Sequence, residues 1–165
     1  MDTKDFLDRT RLILNRLEPS QAAGWEYLLT GITSLLSDVL RRAVLLLGSE
    51  SPALVDGKIE DEDGDEGWLV IITDTRLIRG TFEITDQQPR LVVEAVSLDS
   101  VRAIRVESTL SGHRDNAPWP LAARVMLVLD REVAGTSELM VPSTGLGDKH
   151  LAGEVAALAQ RLPIA

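Results

Sequence analysis

The stretch Trp68-Leu-Val-Ile-Ile-Thr-Asp-Thr-Arg-Leu-Ile-Arg-Gly-Thr-Phe-Glu-Ile84 decides how the chain is read. Trp68 to Ile72 is a continuous apolar run, and a Thr-Asp pair follows it. The short polar side chains of such a pair can bond their own backbone two residues on, which makes a tight turn. From Arg76 the pattern changes: Ile78, Gly80, Phe82 and Ile84 alternate with Leu77, Arg79, Thr81 and Glu83. Alternation of this kind puts successive side chains on opposite faces of a strand. Two strands joined by a turn are expected here, and the same period continues downstream. Leu91 to Val96, Val101 to Glu107, Arg124 to Asp130 and Ser137 to Val141 are valine-rich segments separated by turn residues, with Leu54 to Ile59 a weaker candidate upstream. No long helical pattern lies between them, so an antiparallel meander is expected.

Before Pro52 the period is that of a helix. Phe6, Thr10, Ile13, Leu14 and Leu17 fall on one helical face, with Asp2 or Thr3 as the cap and Pro19 as the stop. Ser20 can cap a second helix whose stripe runs Trp25, Leu28, Leu29, Ile32, Leu36, Val39, Leu40 and Ala43. Gly24 and Gly31 inside it cost about 1 kcal/mol each relative to alanine, which favours a break near Thr30-Gly31. Residues 1–48 thus read as an N-terminal helical hairpin, and Ala43 to Leu47 reads alternatively as a first strand. At the other end Leu151, Val155, Leu158 and Leu162 mark one helical face between Asp148 and Pro163. The change of period makes the fold class α+β.

Short strands followed by one amphipathic helix is also the element order of pleckstrin-homology-like (PH-like) domains. Leu69-Val-Ile-Ile-Thr-Asp-Thr-Arg-Leu-Ile78 resembles the "strand, Thr-Asp turn, Arg-Leu, strand" segment of their bacterial, GRAM-like branches. Val96-Ser-Leu-Asp-Ser-Val-Arg-Ala-Ile-Arg-Val106 is similar to the segment that follows, and Leu151 to Leu162 to the closing helix. The resemblance covers about residues 53–162 and omits the N-terminal helices. It implies a small antiparallel barrel, residues 53–162, closed by a C-terminal helix and preceded by the hairpin of residues 1–48. Some members of that group bind phosphoinositides through basic residues on the first hairpin loop. Here the corresponding segment, Glu60-Asp-Glu-Asp-Gly-Asp-Glu-Gly67, is purely acidic and would repel an anionic headgroup. Other members bind proteins or peptides.

The formal net charge of −9 is local. Residues 1–48 carry six acids and six bases; residues 49–67 carry eight acids and only Lys58; residues 68–165 carry twelve acids and ten bases. No basic stripe exists to displace phosphate counterions, which argues against nucleic acid as a partner. Arg76, Arg79, Arg90, Arg102 and Arg105 are interleaved with Glu83, Asp86, Glu94, Asp99 and Glu107. Arg76 and Arg79 differ in parity and should point to opposite faces. A charge-balanced sheet face is expected there, and a membrane surface is a weaker reading. The chain contains no cysteine, which excludes disulfides, thiolate zinc sites and a cysteine nucleophile. The acidic start Met1-Asp-Thr-Lys-Asp-Phe-Leu-Asp lacks a secretory pattern. Val39 to Leu47 is too short to span a bilayer. A cytoplasmic location is expected.

Motifs for chemistry are weak. Asp61, Asp63 and Asp65 have the spacing of the first calcium ligands of an EF-hand loop. Glu66 then stands where glycine is needed and Ile72 where a bidentate glutamate is needed. A solvated hairpin tip accounts for the run better. His113 and His150 belong to no metal pair. Gly145-Leu-Gly147 lacks the third glycine of a phosphate cradle and opens no βαβ unit. No nucleophile–base pair can be assembled, so neither enzyme activity nor a cofactor or metal is expected.

The expected function is a non-enzymatic protein- or peptide-binding module. The alternatives are a secretion-type chaperone or adaptor dimer, and a lipid-surface module using the arginines. Trp119, held in Pro118-Trp119-Pro120, is a candidate partner anchor, with folding back onto the core as the competing account. Trp25, Arg76 and Arg79 complete the candidate interface. The broad apolar face that begins at Trp25 must be buried, and homodimerisation through the N-terminal helices is one way to bury it.

Overall fold

The computed structural model describes residues 3–17, 22, 24–25, 34–60, 63, 65–108, 123–141, 157–158, 160 and 162. The chain divides into two compact units, Met1–Ser97 and Leu98–Ala165.

The first unit contains α1 (Thr3–Leu14), α2 (Ser34–Leu47) and a four-stranded antiparallel sheet. Its strands are β1 (Leu54–Ile59), β2 (Glu66–Ile72), β3 (Arg76–Thr85) and β4 (Gln88–Ser97), hydrogen-bonded in the order β1-β2-β3-β4. The parity of burial explains how helix and sheet meet. Val55 on β1, Leu69 and Ile71 on β2, and Ile78 and Phe82 on β3 form one cluster with Ile13, Leu14, Leu36, Val39, Leu40, Ala43, Val44 and Leu47 from the helices. Leu91, Val93 and Ala95 of β4 pack against the same cluster. One face of the sheet therefore carries the helical layer. Each fully buried aliphatic side chain of this kind contributes roughly 1.5–3 kcal/mol. Gly80 lets α2 approach closely, since a Cβ there would sit 3.1 Å from Val39.

The opposite face has its own rows. Leu54, Ile72, Leu77 and Val96 align across the four strands and are buried. Asp56, Val70, Arg79 and Glu94 align beside them.

The second unit holds a 3-10 turn at Leu98–Ser100 and strands β5 (Val101–Ser108), β6 (Ala123–Val133) and β7 (Thr136–Val141). They form a separate antiparallel sheet in the order β5-β6-β7. Its buried side chains, Val101, Val125, Leu127, Leu129, Leu139 and Val141, follow the alternation seen in the sequence.

The PH-like barrel expected from the resemblance is not the architecture. One ladder ends with β4 and a separate one begins with β5, so the described residues form sheets of four and three strands and no closed barrel. The reason lies in the helices. The first sheet buries its apolar face under α1 and α2, so layer packing takes the place of curling closed. Of the expected closing helix, the described residues show only Ala157, Leu158 and Gln160 in helical conformation, and they complete no element. Leu158 and Leu162 are buried and joined by a 3.1 Å backbone hydrogen bond, while Leu151, Val155 and Pro163 lie outside the described residues. The helical reading of Ala43 to Leu47 holds, since these residues complete α2. Leu28, Leu29, Ile32 and the break near Thr30-Gly31 lie outside the described residues. Among the described residues no helix is long and apolar enough to cross a membrane.

Candidate functional site

β4 is built by its turn. Asp86 and Gln87 adopt φ values of 53° and 63°, the left-handed pair of a two-residue type I′ hairpin. Such a turn closes on a hydrogen-bonded pair, here Thr85 and Gln88, and ladder bonds then alternate along an unbroken register. Gln88, Arg90, Val92, Glu94 and Val96 turn their backbone groups to β3. Pro89, Leu91, Val93, Ala95 and Ser97 turn theirs to the outside. Pro89 fits this phase, because a proline in a sheet must sit where no ladder donor is needed. Among the described residues, no backbone group pairs with the outward N–H and C=O of Leu91, Val93 and Ala95.

The two edges of this sheet differ. β1 is short and mostly buried, and the carbonyl of Ala53 just before it accepts a 2.9 Å bond from Arg16 Nη1. β4 is ten residues long and largely exposed, with Val92 at 43% exposure. An edge of that length, carrying Leu91-Val92-Val93, is a template for another strand.

A polar clamp lies at the end of β4 where Val96 and Ser97 stand beside Leu77 and Arg76. Thr73 Oγ1 accepts bonds from the amides of Thr75 (3.2 Å) and Arg76 (2.9 Å), the turn chemistry expected of the Thr-Asp pair. Glu50, just beyond α2, accepts from the hydroxyls of Thr73 and Thr75 and pairs with Arg76 Nε at 3.0 Å. Arg76 Nη1 also donates to Leu46 O at 2.9 Å, satisfying a carbonyl at the helix end. The Thr73 hydrogen bond, helped by Thr75 and Arg76, holds the Glu50 carboxyl below its ordinary value. An open pocket of about 330 Å³ lies beside the clamp, lined by Thr75, Arg76, Ala95, Val96 and Ser97.

The acidic tip is partly organised as well. Glu60 pairs with Lys58 Nζ and accepts from Trp68 Nε1 at 3.1 Å. The Lys58 bond, helped by that of Trp68, lowers the Glu60 pKa against the opposing effect of burial. Asp61, Glu62 and Gly64 lie outside the described residues. Among the described residues no three His, Asp or Glu side chains gather into a metal-binding group.

The residues singled out from sequence do not form one site. Trp119, like His113, His150, Gly145 and Gly147, lies outside the described residues. Trp25 is fully buried in the core, edge-on to Phe82 with ring centroids 6.1 Å apart. Arg76 belongs to the clamp. Arg79 sits on the other face opposite Glu94, half-buried, and its burial lowers its pKa. The sequence reading missed Glu50 and the β4 edge. Pro89, at the start of an otherwise good strand, was the available signal for the edge. Compared with known proteins, the chain matches no family model, no curated protein and no solved structure.

Proposed function

We propose that the chain is a non-enzymatic protein- or peptide-binding module of the cytoplasm, and that it takes an extended segment onto the edge of β4 by strand addition. The observation that carries this reading is the phase of β4, whose outward backbone groups at Leu91, Val93 and Ala95 meet no backbone partner among the described residues. In strand addition the main chain supplies affinity and alternate side chains supply selectivity. The pocket at Ala95 to Ser97 offers a place for one such side chain, with Arg76 favouring an acidic or amide group.

Val93→Pro tests the edge. It removes an outward N–H and leaves every bond to β3 in place, as Pro89 already does. Peptides selected from a random display library against the intact chain are expected to bind wild type and to lose at least tenfold in affinity on Val93→Pro. Peptides that bind both proteins equally would exclude this edge. Vesicles of phosphatidylserine at physiological salt are expected to leave the chain in the supernatant, and co-sedimentation would favour a lipid-surface module instead.

A further inference from the structure

Resting on the strand-addition reading, we infer that the segment β4 accepts is the β4 of a second copy of this chain, in one defined register. Two edges of this kind can join only with outward residues opposite outward residues, so Leu91, Val93 and Ala95 must face their like. That leaves a short series of antiparallel registers, and the charges choose among them.

With Val92 on the two-fold axis, Arg90, which pairs with Glu83 at 3.4 Å within one copy, adds the partner's Glu94 opposite it. Glu94, beside Arg79 in its own sheet, adds the partner's Arg90. Moving the axis to Leu91 or Val93, a slide of two residues, sets both charges against Val92, Gln88 or Val96. Moving it on to Arg90 or Glu94 sets Arg90 against Arg90 or Glu94 against Glu94. Only the Val92-centred register pairs opposite charges, and like charges directly opposite are destabilising. In it Leu91 exchanges both backbone bonds with the partner's Val93, and Val93 with the partner's Leu91. Ala95 donates to the carbonyl of the partner's Pro89, whose missing N–H costs one bond at each end. Val92, 43% exposed in one copy, stacks on its equivalent at the non-hydrogen-bonded position where side chains come closest. The hairpin tip Asp86-Gln87 of each copy arrives beside the other's pocket, which Arg76 lines. The product is one continuous eight-stranded antiparallel sheet with self-complementary contacts.

The competing account is that Pro89, Arg90 and Glu94 only guard an exposed edge. Sedimentation velocity on the intact chain separates the two. Wild type is expected to sediment as a reversible dimer at high micromolar concentration. Arg90→Glu and Glu94→Arg each place like charges opposite in both halves of the interface. Each is expected to weaken the dimer by roughly tenfold or more. Mixing the two single variants restores opposite charges throughout, as does the double reversal within one chain, and both are expected to recover the dimer. Recovery on mixing cannot come from two misfolded variants.

A wild type that stays monomeric, or single reversals that leave the dimer intact, would overturn the self-pairing. A mixture that fails to recover would do the same. If wild type is monomeric while display-selected peptides still depend on Val93, self-pairing falls and strand addition stands. If wild type is a dimer that Val93→Pro leaves unchanged, the contact lies elsewhere and the inference falls.

Discussion

At the scale of single residues, the core of the first unit turns on a glycine under an aromatic ring. Gly67 on β2 stands opposite Phe82 on β3, and a Cβ at Gly67 would lie 2.4 Å from the ring and 2.6 Å from the carbonyl of Lys58. Phe82 covers the glycine and also packs against Trp25 in a T-shaped contact, so moving the ring would disturb a second buried aromatic. Gly67→Ala is therefore expected to destabilise the fold by about 1–3 kcal/mol through overpacking, read as a lower urea midpoint with unchanged slope. An unchanged midpoint would mean that the Phe82 ring moves freely. The hairpin tip offers the reverse case. Gln87 adopts a φ of 63°, a region that side chains disfavour and glycine occupies at no cost. Gln87→Gly is expected to stabilise by the left-handed strain it relieves, about 1–2 kcal/mol, less about 0.4–1 kcal/mol for the added freedom of the unfolded glycine. A fall in stability would show that the Gln87 side chain holds the turn. Trp25 marks a boundary of sequence reading at this scale. An aromatic on an apolar stripe signals burial, and only tertiary packing showed that the burial is internal.

At the scale of elements, most of the strands were legible because their period is local. β1, β2, β3, β5 and β7 lie within two residues of their expected bounds, and the Thr73 turn bonds its own backbone as its composition implied. Closure was not legible, because it depends on whether an edge finds a partner, and alternation within a strand says nothing of that. Register against other segments is likewise non-local, which is why Glu50 went unnoticed. It lies 23 residues before Thr73 and acts only once α2 and the β2–β3 turn have met. The clamp makes a prediction about pH. The Glu50 carboxyl titrates below its ordinary value in the fold, so its contribution is fully present above the unfolded pKa, about 4.3 for glutamate. That contribution is lost as pH falls through the lower, folded pKa. Glu50→Gln should therefore unfold at a lower urea concentration than wild type at neutral pH, and the gap should shrink in acid. A gap independent of pH would assign the role of Glu50 to shape and not to charge.

At the scale of the whole molecule, charge and contact are kept apart along the sheet. Residues 49–67 carry eight acids against one lysine, and of these Asp56, Lys58 and Glu60 lie on or just after β1, and Asp65 and Glu66 at the start of β2. The strand order places them at the edge opposite β4, across strands about 4.8 Å apart. A pair of copies joined through β4 thus holds its acidic segments as far apart as the sheet allows, yet each copy still carries a net charge of −9. For charge centres on the order of 35 Å apart, the bare repulsion in water is about 10 kcal/mol. At 0.01 M salt the screening length is about 30 Å, and about 3 kcal/mol of repulsion survives; at physiological salt the length is about 8 Å and almost none does. The two exposed Arg90–Glu94 pairs favour the dimer by only about 0.2–1 kcal/mol each, and salt screens them as well. Repulsion is the larger effect, so the dimer is expected to tighten by about tenfold or more as salt rises from 0.01 to 0.15 M. Sedimentation equilibrium across that range measures it. An interface held mainly by ion pairs would give the opposite slope, weakening as salt is added, and that result would move the contact away from the β4 backbone.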